Sequence, residues 1–293
     1  MKIYGWHIVI DADEPTVTSS LDKTIYCTKD DSLSRDNFPV SLVYQNNQER
    51  QISLLTNHKF TTPDPDQPWI FYVENVVSFS WKTKGSVIRY CFHELATDEI
   101  FKFWLYHVVL PIYFSIAQTY RFLHAGAVEI EQKPVLFMAP SFGGKSTLTD
   151  YFIQRGHILV TDDKMATFEK NGIYYAVPSH PYHRPFRTVE VLGNLCENLA
   201  TQTKPIHAIY ILKKSEADAK CEIRPLKGIE KFSRLHEGGE MNFSFFTPQY
   251  VSYLAALANR VPVFAITIPH DFDRLPEVYD ILTKHANSIK GQL

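Results

Sequence analysis

The chain lacks the cysteine pattern of a disulfide scaffold or a zinc site. Its four cysteines, Cys27, Cys91, Cys196 and Cys221, are scattered, with no Cys-x-x-Cys and no neighbouring histidine at metal-ligand spacing, so they read as reduced core residues. A dominant charge of one sign is also lacking. Thirty Lys and Arg stand against 32 Asp and Glu, a formal net charge of -2, which removes the global electrostatic case for nucleic acid or an anionic membrane as partner. Any binding of phosphate must therefore be local. No apolar run reaches the length of a bilayer span: the longest, 103–117, is interrupted by His107 and Pro111 and reads as a buried helix. The first ten residues have neither a basic region followed by a long apolar core nor a small-residue cleavage site, so they do not read as a secretory leader, and a cytoplasmic protein is expected. Internal repeats and low-complexity tracts are missing as well.

What is present suffices for two domains: 293 residues, 45% of them hydrophobic and 14% aromatic, can bury a sizeable core. The pattern changes near residue 120. Before it, short runs rich in β-branched and aromatic residues (2–10, 40–45, 69–77, 87–92) are separated by turn clusters such as 61–68, which predicts a small antiparallel β domain. That domain, 1–120, closes with a helical stretch, 94–121, apolar on much of its circumference. Pro111 should kink or break it, and it is expected to lie across the domain junction. From 121 to 293 strand-like runs (125–130, 135–138, 158–160, 208–212, 263–268) alternate with helical ones (146–155, 248–259, 275–286), which predicts an α/β core without revealing its strand order.

The most informative segment is Ala139-Pro-Ser-Phe-Gly-Gly-Lys-Ser-Thr147, between the apolar run Val135-Leu-Phe-Met138 and a helix-like segment that begins at Ser146. A buried strand here leads into a Gly-containing turn, and the turn's N–H groups together with the next helix N-terminus face an anion. This is the pattern of a phosphate-binding loop. Lys145 would reach the β- and γ-phosphates, the Ser146 hydroxyl would bind Mg²⁺, and Ala139, Ser141, Gly143, Gly144 and Thr147 would complete the cradle. Ala139 stands where the full pattern has glycine, and Gly-Gly-Lys-Ser alone is also compatible with an ordinary loop. Downstream, Gly156-His-Ile-Leu-Val-Thr-Asp-Asp163 reads as a short buried strand ending in two carboxylates. Ligands bind at that end of the strands in a doubly wound sheet, so Asp162 and Asp163 should emerge beside the loop. A polar strand-to-turn junction is the plain alternative for an Asp pair taken alone.

Together, Leu123-His-Ala-Gly-Ala-Val-Glu-Ile130, the phosphate loop and Leu159-Val-Thr-Asp-Asp163 occur in an order and spacing that resembles the catalytic domain of the HPr kinase/phosphorylase family and its relatives, among them kinases of lasso-peptide precursors. The resemblance covers about 120–293, including Arg260-Val-Pro-Val-Phe-Ala-Ile-Thr-Ile-Pro269 and a last helix. It implies an α/β fold with an HPr-kinase-like P-loop core, preceded by a β-rich domain unlike the regulatory domain of the HPr enzymes. It also implies ATP and Mg²⁺ as cofactors. Lys145 would sit on the phosphates and Ser146 on the metal, Asp162 would be the base that takes the acceptor's hydroxyl proton, and Asp163 would bind metal or orient a partner. His124 would stand close to these carboxylates as a further catalytic residue, although a histidine at a strand start is also compatible with a hydrogen-bonded core residue. Glu190, in Thr188-Val-Glu-Val-Leu-Gly193, resembles a family glutamate that helps hold Mg²⁺, with Leu192 where an arginine is usual. The segment Pro178-Ser-His-Pro-Tyr-His-Arg-Pro-Phe-Arg187 carries four basic or imidazole side chains and no acid. It reads either as a solvated turn or as a cationic loop in which Arg184 and Arg187 contact ATP phosphate or the acceptor.

The implied function is ATP- and Mg²⁺-dependent phosphorylation of a Ser or Thr hydroxyl on a peptide or protein, a ribosomal precursor peptide being the most specific form. No nucleic-acid or membrane partner is expected, and a homo-oligomer stays open, as do GTP or pyrophosphate as donor. Phe142 stands where relatives carry glycine, and a positive φ there would strain it by about 1–3 kcal/mol. With Ala139 and Leu192 it keeps open a second class, a nucleotide-binding scaffold that has lost turnover. A phosphoenolpyruvate carboxykinase-like enzyme shares the loop-and-aspartate logic but would be longer and bring further metal ligands.

Overall fold

The computed structural model describes residues 1–11, 23–47, 50–58, 64–140, 142–185, 188, 190–240 and 247–289. The chain forms two compact units, Met1–Thr119 with Val189–Leu192, and Tyr120–Thr188 with Gly193–Leu293. Among the described residues no helix is long and apolar enough to cross a membrane.

The first unit is built on an eight-stranded sheet of β1 (Lys2–Ile3), β2 (Trp6–Ile10), β3 (Thr24–Lys29), β4 (Val40–Asn47), β5 (Arg50–Thr56), β6 (Pro68–Val73), β7 (Val77–Lys82) and β8 (Val87–Phe92), in the order β1-β2-β3-β8-β7-β6-β5-β4. The expected antiparallel pairing holds except at β2–β3 and β3–β8, which are parallel. In β6 and β7 the largest residues recur at every second position, so Trp69, Phe71, Phe79 and Trp81 share one buried face. Onto it packs the helical run α1 (Asp98–Trp104), a π turn (Leu105–Val109) and α2 (Leu110–Ile116). Phe79 stacks on Phe101 at 5.5 Å, Phe71 lies 5.9 Å from Trp104, and Trp81 lies 6.4 Å from Tyr113. Rings of this kind bury about 150–250 Å² each, far more than helix propensity could contribute. They tie the run to the sheet of its own unit, where the sequence suggested a helix across the junction. The break expected at Pro111 is the π turn. Proline has no N–H to continue the ladder, and the Leu110 N–H reaches back five residues to the Leu105 carbonyl.

The second unit contains β9 (Arg121–Ile130), β10 (Lys133–Met138), α3 (Lys145–Gln154), β11 (Ile158–Thr161), β12 (Lys164–Lys170), β13 (Ile173–Val177), β14 (Tyr182–His183), β15 (Asn194–Leu195), β16 (Lys204–Pro205), β17 (Ala208–Ser215), β18 (Glu222–Pro225), α4 (Gly228–Glu237), β19 (Gly239–Glu240), α5 (Thr247–Arg260), β20 (Val263–Pro269) and α6 (Leu275–Ser288). Its large sheet runs β16-β13-β12-β9-β10-β17-β20-β18, with β11 and β19 also paired to β9. The unit is thus mixed α/β, as expected. Alternation along β10 sends Val135 and Phe137 into a core shared with Leu148 and Phe152 of α3 and Leu282 of α6. Leu136 and Met138 enter the opposite core with Leu254 and Leu257 of α5.

β9 organises the chemistry-bearing segments. Both β10 and β11 are antiparallel to it, so they run the same way, and β17 and β20 are parallel to β10. Met138 pairs with Ala125 and Thr161 with Ala127, which brings the loop after β10 and the Asp162–Asp163 pair to the same end of the sheet, where open α/β sheets bind ligands. Gly126 sits between them. A Cβ there would come 2.3 Å from Thr149 Oγ1 on α3 and 3.2 Å from the Asp162 carbonyl oxygen, so the helix and the acidic strand end can approach only over a glycine. We expect Gly126→Ala to cost about 1–3 kcal/mol in urea unfolding, the usual range for overpacking. A change within 0.5 kcal/mol, roughly the scatter of neutral substitutions, would show that this approach has slack.

Candidate functional site

At the end of β10 the chain passes through buried Ala139 to a turn in which the Gly143 N–H donates to the Pro140 carbonyl at 2.9 Å. A Cβ on Gly143 would lie 2.5 Å from the Ala139 Cβ and 2.8 Å from the Pro140 carbonyl oxygen. Gly144 follows with φ +87 and caps α3, whose first turn closes through the Leu148 N–H to the Gly144 carbonyl at 2.9 Å. Lys145, Ser146 and Thr147 form that first turn, where unpaired N–H groups and the helix dipole favour an anion. Phe142 has φ +61 and its side chain is 93% exposed. The residue thus adopts the conformation anticipated as strained, with no packing in return. Ser141 and Arg187 lie outside the described residues.

Two carboxylates meet this turn in different ways. Lys145 is buried, and its Nζ stands 3.2 Å from Asp163 Oδ1; His124 Nδ1, from β9, is 3.2 Å from the same oxygen. Asp162 is also buried. Its Oδ1 is hydrogen-bonded to His183 Nδ1 at 2.8 Å and its Oδ2 accepts from the Arg184 backbone N–H at 3.1 Å. The other nitrogen of His183 is 3.2 Å from Asp150 Oδ1 on α3. Burial pushes the His183 imidazolium down, but the hydrogen bond and charge of Asp162, reinforced by Asp150, outweigh it and hold its pKa above the ordinary value. His180 shows the opposite balance: burial, with the Arg184 charge adding to it, brings its pKa down from 6.5 to about 4 against the pull of Asp162 and Asp163.

The structure therefore gathers Lys145, Asp163 and His124 into one cluster beside the loop residues Ala139, Gly143, Gly144, Ser146 and Thr147, with Asp162 immediately behind. The expected site residues meet different partners. Asp162, expected as the base, accepts one hydrogen bond on each oxygen, from His183 and from the Arg184 backbone N–H. Asp163, expected to bind metal or orient a partner, has its Oδ1 facing the Lys145 ammonium. Glu190 is held in the first unit by Arg50, whose Nε and Nη2 donate to its two oxygens at 3.0 and 2.9 Å, and by the Trp104 indole N–H at 2.9 Å. That carboxylate is committed to an ion pair and is not on offer to a metal. Arg184, expected at the phosphates or the acceptor, reaches Asp162 through its backbone N–H. One participant was not singled out from the sequence, Asp150, four residues beyond Ser146 on the same helix face; His183, read there as one of the side chains of the cationic 178–187 segment, is the imidazole that joins it to Asp162.

Among the described residues no group of three or more His, Cys, Asp or Glu side chains is placed to hold a metal ion. The site does fit Mg²⁺ of the kind that arrives with phosphate, because the Ser146 hydroxyl is a hard oxygen donor on the turn that faces the anion and such ions take few protein ligands.

The chain matches no protein-family model and no curated protein. Among solved structures it is similar to the HPr(Ser) kinase/phosphatase from Coxiella burnetii, at 17% identity and a TM-score of 0.37, over 58% of this chain and 99% of that one. A likeness this distant assigns no chemistry.

Two measurements probe the site's physical state. Phe142→Gly should stabilise the protein by about 1 kcal/mol, since it removes left-handed strain without losing a contact; a loss of stability would mean that the ring packs in solution. The neutral form of His180 is the one the fold accepts, so its contribution is complete above pH 6.5 and is lost as pH falls toward 4. Over that window it amounts to roughly 3 kcal/mol. His183 acts with the opposite sign, its contribution being lost only as pH rises through its raised pKa. Urea titrations from pH 6.5 to 4 should show a shallower decline for His180→Gln than for the parent; parallel declines would contradict the assignment.

Proposed function

We propose that the chain is a phosphotransferase that uses a nucleoside triphosphate and Mg²⁺ to phosphorylate a Ser or Thr hydroxyl of a peptide or protein, as the resemblance to the HPr kinase group implies, with a ribosomal precursor peptide of the lasso type as the most specific acceptor. The observation that carries this reading is Lys145 buried at the first turn of α3 with Asp163 and His124 around it. A phosphate-binding turn alone would serve a scaffold. A carboxylate and an imidazole within reach of the phosphate lysine supply what transfer requires beyond binding, an oriented nucleophile and a proton acceptor.

In this reading the N–H groups at the start of α3 take the phosphates, and Lys145 adds the point charge. Ser146 is the protein ligand that would hold Mg²⁺, which when bound neutralises charge on the phosphate oxygens. Phosphate oxygens also draw the Lys145 ammonium away from Asp163. Asp163 then takes the proton from the acceptor hydroxyl, with His124 beside it. Asp162 is a positioning residue, since it ties the end of β11 to His183 and, through it, to Asp150 on α3. The rival reading, a nucleotide-binding protein without turnover, draws its support from Phe142 at positive φ and from Glu190 being committed elsewhere.

The test uses ATP affinity by calorimetry and slow ATP hydrolysis, in which water serves as acceptor. Lys145→Ala should weaken ATP by at least tenfold, from the loss of a charged hydrogen bond of about 1.5–3 kcal/mol. Asp163→Asn should keep ATP binding and lower turnover about 10²–10⁴-fold. Asp162→Asn should chiefly lower stability. Loss of turnover in Asp162→Asn with Asp163→Asn silent would return the base role to Asp162, and binding without hydrolysis or transfer in the parent protein would favour the scaffold.

A further inference from the structure

Among the described residues, those held at positive φ without being glycine are polar, apart from Tyr4 and Phe142. Tyr4 is fully buried, and its ring packs edge-on against Phe114 at 5.8 Å, so contact with the core offsets its strain. Phe142 has no such offset. Its side chain is 93% exposed, and no other large apolar side chain among the described residues is more so. A lone apolar side chain in solvent is ordinary on a protein surface. One that also holds its backbone in the left-handed region is not, because glycine would adopt that conformation without strain. Strain of this kind gathers where a protein binds something.

The hydrogen bond from the Gly143 N–H to the Pro140 carbonyl makes Phe142 the third residue of a four-residue turn, a position that favours glycine when φ is positive. The ring therefore stands at the tip of the phosphate turn, three residues before Lys145. Gly143, Gly144 and Thr147 line a cleft that continues to Ile268, Pro269 and Leu275, and Phe142 is not among its walls. The face of a phenyl ring carries the negative end of its quadrupole, so phosphate oxygens held at the start of α3 gain nothing from it. Its partner has to be apolar and has to arrive from solvent. In the proposed transfer the acceptor oxygen bonds to the terminal phosphorus while the bond to the donor's bridging oxygen breaks and Asp163 takes the hydroxyl proton. The residue that carries the hydroxyl must then stand over the turn. In an extended peptide its neighbours follow at about 3.3–3.6 Å per residue, close enough to meet a ring at the tip.

We propose that Phe142 selects the acceptor: its ring packs against an apolar side chain beside the target hydroxyl, so the substrates are peptides with an aliphatic or aromatic residue next to the Ser or Thr. The inference rests on the phosphotransferase reading and adds a sequence requirement to it. The test measures phosphate transfer from ATP to two synthetic peptides that are identical except that the residues flanking a single Ser are Leu in one and Gly in the other. The parent should show a kcat/KM about tenfold higher for the Leu peptide, the lower end of what an apolar contact discriminates. Phe142→Gly should abolish that preference at the parent's KM for ATP, and Phe142→Leu should restore most of it. A urea titration of Phe142→Gly, expected to be the more stable protein, separates this loss from unfolding. Equal kcat/KM for the two peptides in the parent, with transfer lost in Lys145→Ala, would overturn the assignment and leave the phosphotransferase standing. A preference that survives Phe142→Gly would do the same. So would a raised KM for ATP as the only change in that variant, which gives the ring to the donor, or loss of self-association as its only change, which gives it to a second copy. Hydrolysis of ATP without transfer to either peptide would overturn the inference as well, and if ATP is neither bound nor hydrolysed, the phosphotransferase reading fails and takes the inference with it.

Discussion

The buried ammonium of Lys145 is the constraint on which the rest of the site depends. Removing such a charge from water costs several kcal/mol, and leaving it without a counter-charge would cost about 3–5 kcal/mol. Asp163 at 3.2 Å supplies the counter-charge, so the start of α3 and the turn after β11 must meet. They can meet only because position 126 of the strand between them has no side chain. His124 from β9 completes the contact. One ion pair thus fixes three segments that are distant in sequence. In the proposed reaction it has a second consequence, since the carboxylate is released to act as a base only when donor phosphates compete for the lysine.

Behind this pair lies a more rigid one. His183 is held between Asp162 and Asp150, and its raised pKa means that the cation persists where an isolated imidazole would already be neutral. The pairing Asp150–His183–Asp162 joins α3, β14 and the end of β11, so the loop's helix cannot shift relative to the acidic strand end without breaking a buried hydrogen bond. In the proposed reaction the front pair exchanges partners with the donor while the rear set holds the frame.

Much of this was legible in the sequence because the informative residues are contiguous. The phosphate turn lies between one apolar run and one helix, and the Asp pair closes a four-residue apolar strand, so local pattern places both at strand ends. What was not legible depends on residues brought together from afar. Asp162 meets His183 across 21 positions and His183 meets Asp150 across 33, and the basic character of the 178–187 segment says nothing of which acid its imidazole will find. The resemblance offered Glu190 as a metal ligand, yet the residue has φ +58 and its carboxylate is bound by Arg50, 140 positions earlier. The hairpin of β12 and β13 was missed although a signal exists: Asn171-Gly172, both at positive φ, is the preferred pair for a tight hairpin turn. The parallel pairing of β2, β3 and β8 has no such local sign.

The second visit of the chain to the first unit bears on how the molecule can be divided. Residues 189–192 belong with Met1–Thr119 although they lie deep within the sequence of the second unit. They are fastened there by the Glu190 carboxylate and by His107, whose Nε2 is 3.0 Å from the Leu192 carbonyl oxygen. A cut at residue 120 therefore does not separate the two units cleanly. A fragment beginning at Tyr120 would carry Glu190 and Leu192 only a few residues from His183 and Arg184, with Arg50, Trp104 and His107, to which they are bonded, left on the discarded piece. Joining this α/β unit to another N-terminal domain would require the newcomer to supply an arginine and an indole for Glu190.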